Sequence, residues 1–592
     1  MRDQHRKNHK KALLVYPAVP KNTYWSFEYA LQFVDRKSAM PPLGLATVAA
    51  LFPDDWELKL VDLNIQALTE ADVAWADAVF MSAMIVQKKS FQECVALCRR
   101  LQTPVIAGGP YATSGHENIS GVDHFVLGEV ESTFAAFLHD FENGCAQRVY
   151  QAPTKPDIRH TPVPRFDLLN LSAYRTMSVQ YSRGCPFQCE FCDIWRVYGN
   201  RPRLKSAGCM LAELDALFAL GWRGPVFIVD DNFIGNRKKV KQQLLPALRQ
   251  WQQAHGFPYG FLTEASINLA SDEDLLRAMR KAGFQEVFIG IETPSLEALK
   301  ETGKTHNLQF DMAAAVRRIQ KSGIEVMAGF IVGFDNEGED IAERQIAFIQ
   351  QCGIPQAMVG LLTALPGTKL YSRLQKEGRL LHDPEGNNTH ADAINFKPLL
   401  DPAIVRDAYK RILGAVYDKN LKNYFERCSR LLDVLAPAMD RPQHRQLNDL
   451  RILARSLLFQ PFKPYGLQYL KFLWKSLFQP GPAFKEAVRL SIVGHHFYVI
   501  TQEMLKVEAT ASFLDERYAA WRERIVEYRE ALSMSYGEKR RAAADLLRQK
   551  HRILNEARRH IQRIHVDFRG DIARRYRQTA DHMQSLMLSA RK

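Results

Sequence analysis

Residues 181–192 read Tyr-Ser-Arg-Gly-Cys-Pro-Phe-Gln-Cys-Glu-Phe-Cys. They contain three thiols, Cys185, Cys189 and Cys192, separated by three and then by two intervening residues. Three closely spaced thiolates can hold three irons of a [4Fe–4S] cluster, whereas complete ligation normally uses four cysteines. One iron then keeps an open position, which distinguishes a metal site that does chemistry from one that only supports the fold. Gly184 and Pro186 suit a tight loop. The alternatives are a zinc site without its fourth ligand and reduced thiols that cluster without a function.

Outward from this loop, strand and helix patterns alternate from Val179 to about Pro366. The alternation predicts an α/β unit of barrel type over residues 179–400. The cysteine loop follows the first strand of this unit, at the carboxyl end where such barrels place their chemistry. The later strands are predicted from the apolar runs Val226–Val229, Phe261–Thr263, Val287–Ile291, Val326–Val332 and Met358–Leu362.

Residues 1–150 show the same alternation, which predicts a doubly wound α/β sheet. Ligands of such sheets bind beyond the carboxyl ends of the strands, where Gly108-Gly109-Pro110 and Gly128-Glu129 fall. Its strands are predicted from the runs Ala12–Pro17, Glu57–Asp62, Ala78–Ser82, Pro104–Gly108 and His124–Leu127. Residues 151–178 contain four prolines and few periodic apolar positions, and they are predicted to be a linker.

Strand patterns largely disappear after residue 401, and residues 401–592 are predicted to form an all-α domain. The net charge of +14 is concentrated in residues 539–592, which carry 15 Lys or Arg against five Asp or Glu. A solvated helix face explains such a tail most simply, and anionic lipid or nucleic acid are the alternatives. We expect no nucleic acid partner.

The composition, 46% hydrophobic and 24% charged, is that of a globular protein rather than a disordered or fibrous one. No apolar run is long enough to span a membrane, and we expect no signal peptide. Nine cysteines in 592 residues predict reduced thiols and a cytoplasmic protein.

The stretch from Tyr181 to Cys192 resembles the signature of the radical S-adenosylmethionine (SAM) superfamily. The resemblance implies a partial (β/α)₆ barrel and a [4Fe–4S] cluster on Cys185, Cys189 and Cys192. The open iron would be chelated by the amino and carboxylate groups of SAM. Reductive cleavage would then give a 5′-deoxyadenosyl radical, with electrons from a donor such as flavodoxin or ferredoxin.

Further positions match the SAM-binding segments of this superfamily. Phe191 stands at the adenine contact, and Ser266 and Asn268 resemble the ribose-contacting position. Gly290 and Glu292 end the fourth strand. They match the family position that holds the nucleoside or methionine end of SAM. The sequence departs from the family after the second strand, where Asp230-Asp231-Asn232 replaces Gly-Gly-Glu. Carboxylates at this position could still accept from an ammonium group, and an exposed turn is the alternative.

The N-terminal unit resembles the cobalamin-binding domain that precedes one large radical SAM class. The matching residues are Ser82, Gly108, Gly109, Pro110, Tyr111, Gly128 and Glu129. Domains that supply a lower cobalt ligand carry Asp-x-His-x-x-Gly, whereas this chain has Asp62-Leu63-Asn64. The resemblance therefore implies cobalamin without a histidine ligand from this position, and a degenerate domain that no longer binds cobalamin is the alternative.

Three stretches, Gly221–Gly224, Val229–Asn236 and Leu362–Tyr371, are similar to the subfamily with a helical C-terminal domain that includes the hopanoid C-methylases. The resemblance implies a cobalamin-dependent radical SAM C-methyltransferase acting on an unactivated carbon of a lipid or secondary metabolite. No catalytic side chain is assigned. A radical SAM cyclase or rearrangement enzyme is the first alternative, and a cofactor-binding sensor or accessory protein is the second.

One segment of the C-terminal domain, Leu467–Phe478, places Lys471 and Lys475 among apolar and aromatic residues. This pattern is typical of an interfacial helix, which would suit a lipid substrate and peripheral membrane association through the basic C-terminal helices. A core helix with lysines that extend to solvent is the alternative.

Overall fold

The structure, a computed structural model, describes residues 10–389, 394–438, 447–479, 482–531 and 534–590. The chain forms two compact units, Met1–His496 and Phe497–Lys592. The expected all-α domain over residues 401–592 is therefore divided, because its first helices belong to the same unit as the two α/β sheets. Within the described residues, no helix is both long and apolar enough to cross a membrane.

The N-terminal sheet has six parallel strands in the order β2-β1-β3-β4-β5-β6. They are β1 (Lys10–Tyr16), β2 (Trp56–Asp62), β3 (Ala78–Ser82), β4 (Val105–Gly108), β5 (His124–Leu127) and β6 (Val149–Gln151). The helices are α1 (Glu28–Leu31), α2 (Leu43–Ala49), α3 (Glu70–Trp75), α4 (Lys88–Arg100), α5 (Gly109–Gly115) and α6 (Phe134–Glu142). The doubly wound prediction is confirmed, and β6 is an additional strand. The strand order reverses between β1 and β3, where such sheets bind ligands.

The linker segment 151–178 is packed against the domains it joins. Ile158, Phe166 and Tyr174 are buried, and the Tyr174 hydroxyl donates to the buried carboxylate of Asp62 at 2.9 Å. The first barrel strand begins within this segment, at Met177. Residues 151–178 are therefore part of the folded core rather than a free connection.

The second sheet has six parallel strands in the order β14-β13-β12-β11-β10-β7, with β7 and β14 at its edges. This is the predicted partial barrel of six strands. The strands are β7 (Met177–Val179), β10 (Val226–Ile228), β11 (Phe261–Ala265), β12 (Phe284–Glu292), β13 (Glu325–Val332) and β14 (Ala357–Leu361). A small antiparallel pair of strands flanks the cysteine loop. Strand β8 (Ser182–Arg183) precedes the loop and β9 (Arg203–Leu204) follows it. The helices are α7 (Ile194–Val197), α8 (Ala207–Ala219), α9 (Arg237–Lys239), α10 (Leu245–Ala254), α11 (Glu273–Ala282), α12 (Leu296–Glu301), α13 (Met312–Lys321), α14 (Ile341–Cys352) and α15 (Lys369–Lys376).

The remaining chain is helical, as predicted. Its helices are α16 (Pro402–Val416), α17 (Lys422–Leu435), α18 (Leu447–Phe459), α19 (Gly466–Ser476), α20 (Ala483–Glu530), α21 (Tyr536–Gln562) and α22 (Arg569–Ser589). In the first unit, the α17 guanidinium of Arg427 donates to the carbonyl of Ile354, the third residue before β14, at 2.8 Å. This buried arginine connects the first helices directly to the barrel.

A buried group of charges connects the N-terminal sheet to the barrel. The carboxylate of Glu129, two residues beyond β5, pairs with Arg183 of β8 at 2.9 Å and with Arg203 of β9 at 2.6 Å. Glu131 also pairs with Arg183, at 2.7 Å, and accepts from the Thr161 hydroxyl. Because Arg183 lies two residues before Cys185, these ion pairs bring the carboxyl edge of the first sheet to the cysteine loop.

Replacement of Glu129 by glutamine tests this connection. The substitution leaves the buried guanidinium of Arg183 and the half-buried one of Arg203 with one fewer carboxylate, and breaking a buried ion pair costs about 3–5 kcal/mol. We expect Glu129→Gln to lower the midpoint of the first thermal unfolding transition. The control is Glu57→Gln, an exposed position on β2. Equal midpoints for the two variants would contradict the proposed role of the ion pairs.

Candidate functional site

The cysteine loop is fixed by backbone hydrogen bonds to the barrel. The amide of Cys185 donates to the carbonyl of Gly199 at 3.2 Å, and the amide of Glu190 donates to that of Thr302 at 2.8 Å. Gly184 has φ +96°, and its amide donates to the Asp231 carboxylate at 2.7 Å. A Cβ at Gly184 would lie 2.8 Å from the carbonyl oxygen of Gly199. The loop therefore requires glycine at this position.

The three thiols of the loop suit a cluster. Cys189 is buried, Cys185 and Cys192 are half-buried, and none forms a disulfide. Burial has the largest effect on these thiols. It is opposed in part by the Phe187 amide and the Asn232 side chain, which lower the pKa of Cys185, and by the Ile194 amide, which lowers the pKa of Cys192. Burial raises the pKa of all three thiols, so cluster assembly must release their protons.

The described residues contain no group of three Cys, His, Asp or Glu side chains arranged to hold one metal ion.

Ser266 and Asn268, predicted at the ribose contact, lie together beyond β11. The Ser266 hydroxyl is 2.7 Å from Asn268 Oδ1 and accepts from the Asn232 amide at 3.1 Å. Because Asn232 also lies close enough to Cys185 to lower the pKa of its thiol, these amides and the hydroxyl form a polar row that begins near the cluster loop. Asn232 therefore belongs to the candidate site. The sequence indicated this only indirectly, through its place in the Asp230-Asp231-Asn232 turn.

Three carboxyl groups lie beside this row. Asp230 is buried and accepts from the Tyr181 amide at 2.8 Å and from the Ser182 hydroxyl at 2.6 Å, so it holds β8 in place. Burial raises the pKa of Asp230 to about 6 and, together with Asp230, that of Asp231 to about 7. Burial and repulsion by both aspartates raise the pKa of Glu264 to about 8. A cation placed here would replace the missing solvation.

Glu292 ends β12 in a backbone bulge with φ +64°. Its buried carboxylate forms an ion pair with Lys304, whose ammonium lies 6.0 Å from the centre of the Phe191 ring. A Cβ at Gly290 would lie 2.3 Å from the Glu292 carboxylate, which explains the glycine. Lys304 was not predicted, because it lies on a loop after α12 with no pattern that points to the site.

Aromatic rings flank the cysteines. Phe191, predicted at the adenine contact, is half-buried and packs against Phe334 with centroids 5.8 Å apart. Phe187 stacks on His306 at 3.6 Å. Burial and the charge of Lys304 lower the pKa of His306 to about 3, so this ring is neutral.

The predicted cobalamin residues at the ends of β3, β4 and β5 share one edge of the first sheet. Gly109 has φ +79°, and a Cβ there would lie 2.2 Å from the Ser82 hydroxyl. Gly108 is equally confined, with a Cβ position 2.9 Å from the carbonyl of Val126. Gly128 has φ +75° and open space where its Cβ would be. These glycines leave a backbone surface that a large flat ligand can approach.

Three other predicted cobalamin residues have different surroundings. Pro110 occupies the first turn of α5. Tyr111 is buried in the core, with its ring edge-on to Phe91 at 5.6 Å. The Glu129 carboxylate is engaged by Arg183 and Arg203. The side chains of Tyr111 and Glu129 therefore stabilise the fold at this edge.

The loop after β2 contains the residues that replace the histidine motif. Asp62 accepts from both the amide and the side chain of Asn64, and Asn64 Oδ1 accepts from the Val19 amide at 2.9 Å. Asn64 thus has a structural role in closing the loop.

The glycine requirement at residue 184 can be tested by cluster assembly. We expect Gly184→Ala to assemble less than about a tenth of the wild-type iron and sulfide, because its Cβ would strike the Gly199 carbonyl. The control is Gly199→Ala, which has φ +92° but open space around its Cβ. Equal iron contents in both variants would show that the clash does not govern cluster binding.

Three family models match consecutive parts of the chain. They are the B12 binding domain over residues 33–138, the Radical SAM superfamily over residues 179–349 and a domain of unknown function, DUF4070, over residues 368–510. The chain is 44% identical over 419 residues to the uncharacterized methyltransferase sll1242 of Synechocystis, covering 70% of this chain and 77% of that protein.

The chain is also 35% identical over 519 residues to the hopanoid C-2 methylase of Rhodopseudomonas palustris, covering 85% of this chain and 96% of the relative. Among solved structures, it shares its fold with the cobalamin-dependent radical SAM enzyme OxsB, with a TM-score of 0.55 and 14% identity over 92% of this chain and 84% of that one. The cysteine loop, the glycine-lined sheet edge and these relationships agree that the chain belongs to the cobalamin-dependent radical SAM methyltransferases, with a [4Fe–4S] cluster, SAM and cobalamin as its cofactors.

Proposed function

We propose that this methyltransferase adds a methyl group to an unactivated carbon of a lipid or secondary metabolite. The observation that carries the proposal is the direct ion pairing of Glu129 with Arg183. Glu129 follows the glycine edge suited to cobalamin, and Arg183 precedes the first cluster cysteine. A substrate between the two edges would therefore lie within reach of both cofactors.

When bound, the cluster and SAM supply a hydrogen-abstracting radical and cobalamin supplies the methyl group. In this proposal the cysteines hold the cluster, and Asn232, Ser266 and Asn268 would bind the ribose hydroxyls. Phe191 offers a flat apolar surface for the adenine.

We assign one ammonium group and two carboxyl groups to the methionine end of SAM. The Lys304 ammonium next to Phe191 suits the carboxylate, and Glu292 keeps that lysine charged and in position. Asp231 and Glu264 suit the sulfonium or ammonium, because a cation would restore the stabilisation that these half-buried carboxylates lack. These assignments extend the Gly290 and Glu292 prediction to Lys304 and Glu264.

Similarity to the hopanoid C-2 methylase over most of both chains supports a lipid as the substrate. The reaction needs no side-chain base at the attacked carbon, since hydrogen leaves as an atom. The protein's contribution is to hold substrate and cofactors in a site that excludes water and oxygen. Chemistry that must exclude oxygen suits a reducing cytoplasm.

An exposed groove next to the cysteine loop is proposed to receive the electron donor, an acidic flavodoxin or ferredoxin. The groove, of about 500 Å³, is lined in part by Trp195, Lys369, Arg373 and Lys376. Lys369 donates to the side chain of Gln188 at 3.1 Å, so the groove borders the loop that would hold the cluster.

The nucleoside products test the reaction. Anaerobically reconstituted protein with cobalamin, methyl-deuterated SAM, a strong reductant and a lipid extract should give 5′-deoxyadenosine, S-adenosylhomocysteine and a deuterium-labelled lipid by mass spectrometry. Cys189→Ala should give none of the three, whereas Cys209→Ala, a half-buried free thiol outside the loop, should retain all of them. 5′-Deoxyadenosine without S-adenosylhomocysteine would indicate cyclase or rearrangement chemistry instead.

Charge reversal tests the donor groove. Lys369→Glu/Lys376→Glu should weaken flavodoxin binding at low salt by about tenfold or more in titration calorimetry, because complementary charge guides such complexes. Lys281→Glu/Lys321→Glu is the matched control, since these exposed lysines precede β12 and β13 at the opposite edge of the barrel. Equal affinities for the two double variants would exclude the groove as the docking site.

A further inference from the structure

Helix α19 is apolar on both of its faces. Tyr469, Phe472 and Leu473 are buried, and Phe472 packs on Phe425 of α17 with centroids 5.1 Å apart. The opposite face carries exposed apolar side chains at helical spacing, including Leu467 (64% exposed) and Trp474 (66%). A helix that is apolar all round is normally buried all round, so the outer face of α19 lacks the cover that its composition suggests.

The exposed apolar side chains extend into α18 and the turn between the two helices. The Ser456 hydroxyl of α18 lies 2.9 Å from the Tyr469 hydroxyl of α19, which joins the helices. We define the α18–α19 surface by the exposed residues Leu450, Leu457, Leu458, Phe459, Phe462, Leu467, Leu470, Trp474, Leu477 and Phe478. These are ten of the 22 large apolar side chains that are exposed among the described residues. Such concentration marks a binding surface, whereas scattered exposed residues need no explanation.

Positive charge accompanies this surface. Residues 450–478 contain five Lys or Arg and no Asp or Glu. Arg451 and Arg455 pair with Asp35, and Lys475 pairs with Asp433, so Lys463 and Lys471 carry the charge that no carboxylate of the described residues balances. Lys471, exposed between Leu470 and Trp474, has no ion pair in the described part of the chain. Lys463 lies 3.9 Å above the Phe459 ring, so its charge is held at the edge of the apolar side chains. Lysines beside Trp, Phe and Leu on one helix are typical of segments that lie in the headgroup region of a bilayer.

We propose that the α18–α19 surface binds this protein to an anionic lipid bilayer. A protein partner is less suited, because protein interfaces are depleted in lysine. A second copy of this chain would bring the same excess of positive charge to the contact and be repelled. The bilayer satisfies both features, since its acyl boundary accepts the apolar side chains and its headgroups pair with the lysines.

The surface lies within the segment matched by the domain of unknown function, residues 368–510, and would give that segment a role. It also lies outside residues 539–592, where the basic tail suggested membrane contact from charge alone. The proposal rests on the proposed function only in that it explains access to a lipid substrate. Membrane binding needs no cofactor, so it can be measured independently of methyl transfer.

Vesicle co-sedimentation of the full chain tests the proposal. We expect binding to vesicles of phosphatidylcholine with phosphatidylglycerol, weaker binding to phosphatidylcholine alone, and release from the mixed vesicles at high salt. Leu467→Glu/Trp474→Glu should reduce binding to the mixed vesicles by about tenfold or more. The variant no longer has the two large apolar side chains whose transfer from water into the bilayer favours binding. The thermal unfolding midpoint of this variant, and its 5′-deoxyadenosine formation from SAM, should remain those of the wild type.

The matched control is Leu381→Glu/Leu399→Glu, which introduces the same charges at side chains that are 65% and 68% exposed outside the α18–α19 surface. This control should bind as the wild type does. Equal losses in the two double variants would overturn the proposal, as would a wild-type chain that binds neither vesicle. A failed lipid-labelling experiment with intact vesicle binding would instead count against the proposed substrate.

Discussion

The arrangement of the site depends on the ion pairs that the buried Glu129 carboxylate forms with the guanidinium groups of Arg183 and Arg203. A charge removed from water is stable only when opposite charges surround it, so the three side chains must meet. Glu129 follows the last glycine of one sheet edge, and Arg183 precedes the first cysteine of the other. The same contact that stabilises the domain pair thus brings the two cofactor regions together.

Backbone geometry supports this arrangement on both sides. At the first edge, Gly108 and Gly109 stand where a side chain would meet Val126 or Ser82. At the second, Gly184 allows the loop to turn under the Gly199 carbonyl, and Asp231 and Asp230 accept the amides of this turn. The carboxylates that replace the family's Gly-Gly-Glu segment therefore hold the cluster loop. The raised pKa values of Asp231 and Glu264 mark a place where a bound cation would favour their ionised forms.

The helical region separates into parts with different relations to the rest of the protein. Residues up to His496 form one compact unit with both sheets, and Arg427 and Tyr417 bond to the backbone just before β14. These helices stabilise the barrel through one face, while α18 and α19 keep apolar side chains exposed. A catalytic core that acts on a poorly soluble substrate would benefit from such a surface close to the bilayer.

The amino-acid sequence by itself determined the two α/β sheets, the cluster cysteines and the glycines at the sheet edges. These features depend on local periodicity and on short motifs, and residues such as Ser266 and Asn268 follow strands whose ends the pattern locates. Only the tertiary structure decided the pairing of Glu129 with Arg183, the placement of Lys304 beside Phe191 and the exposure of Leu467 and Trp474. Each of these features depends on which residues, distant in the chain, pack beside a given side chain. Local periodicity carries no information about such neighbours.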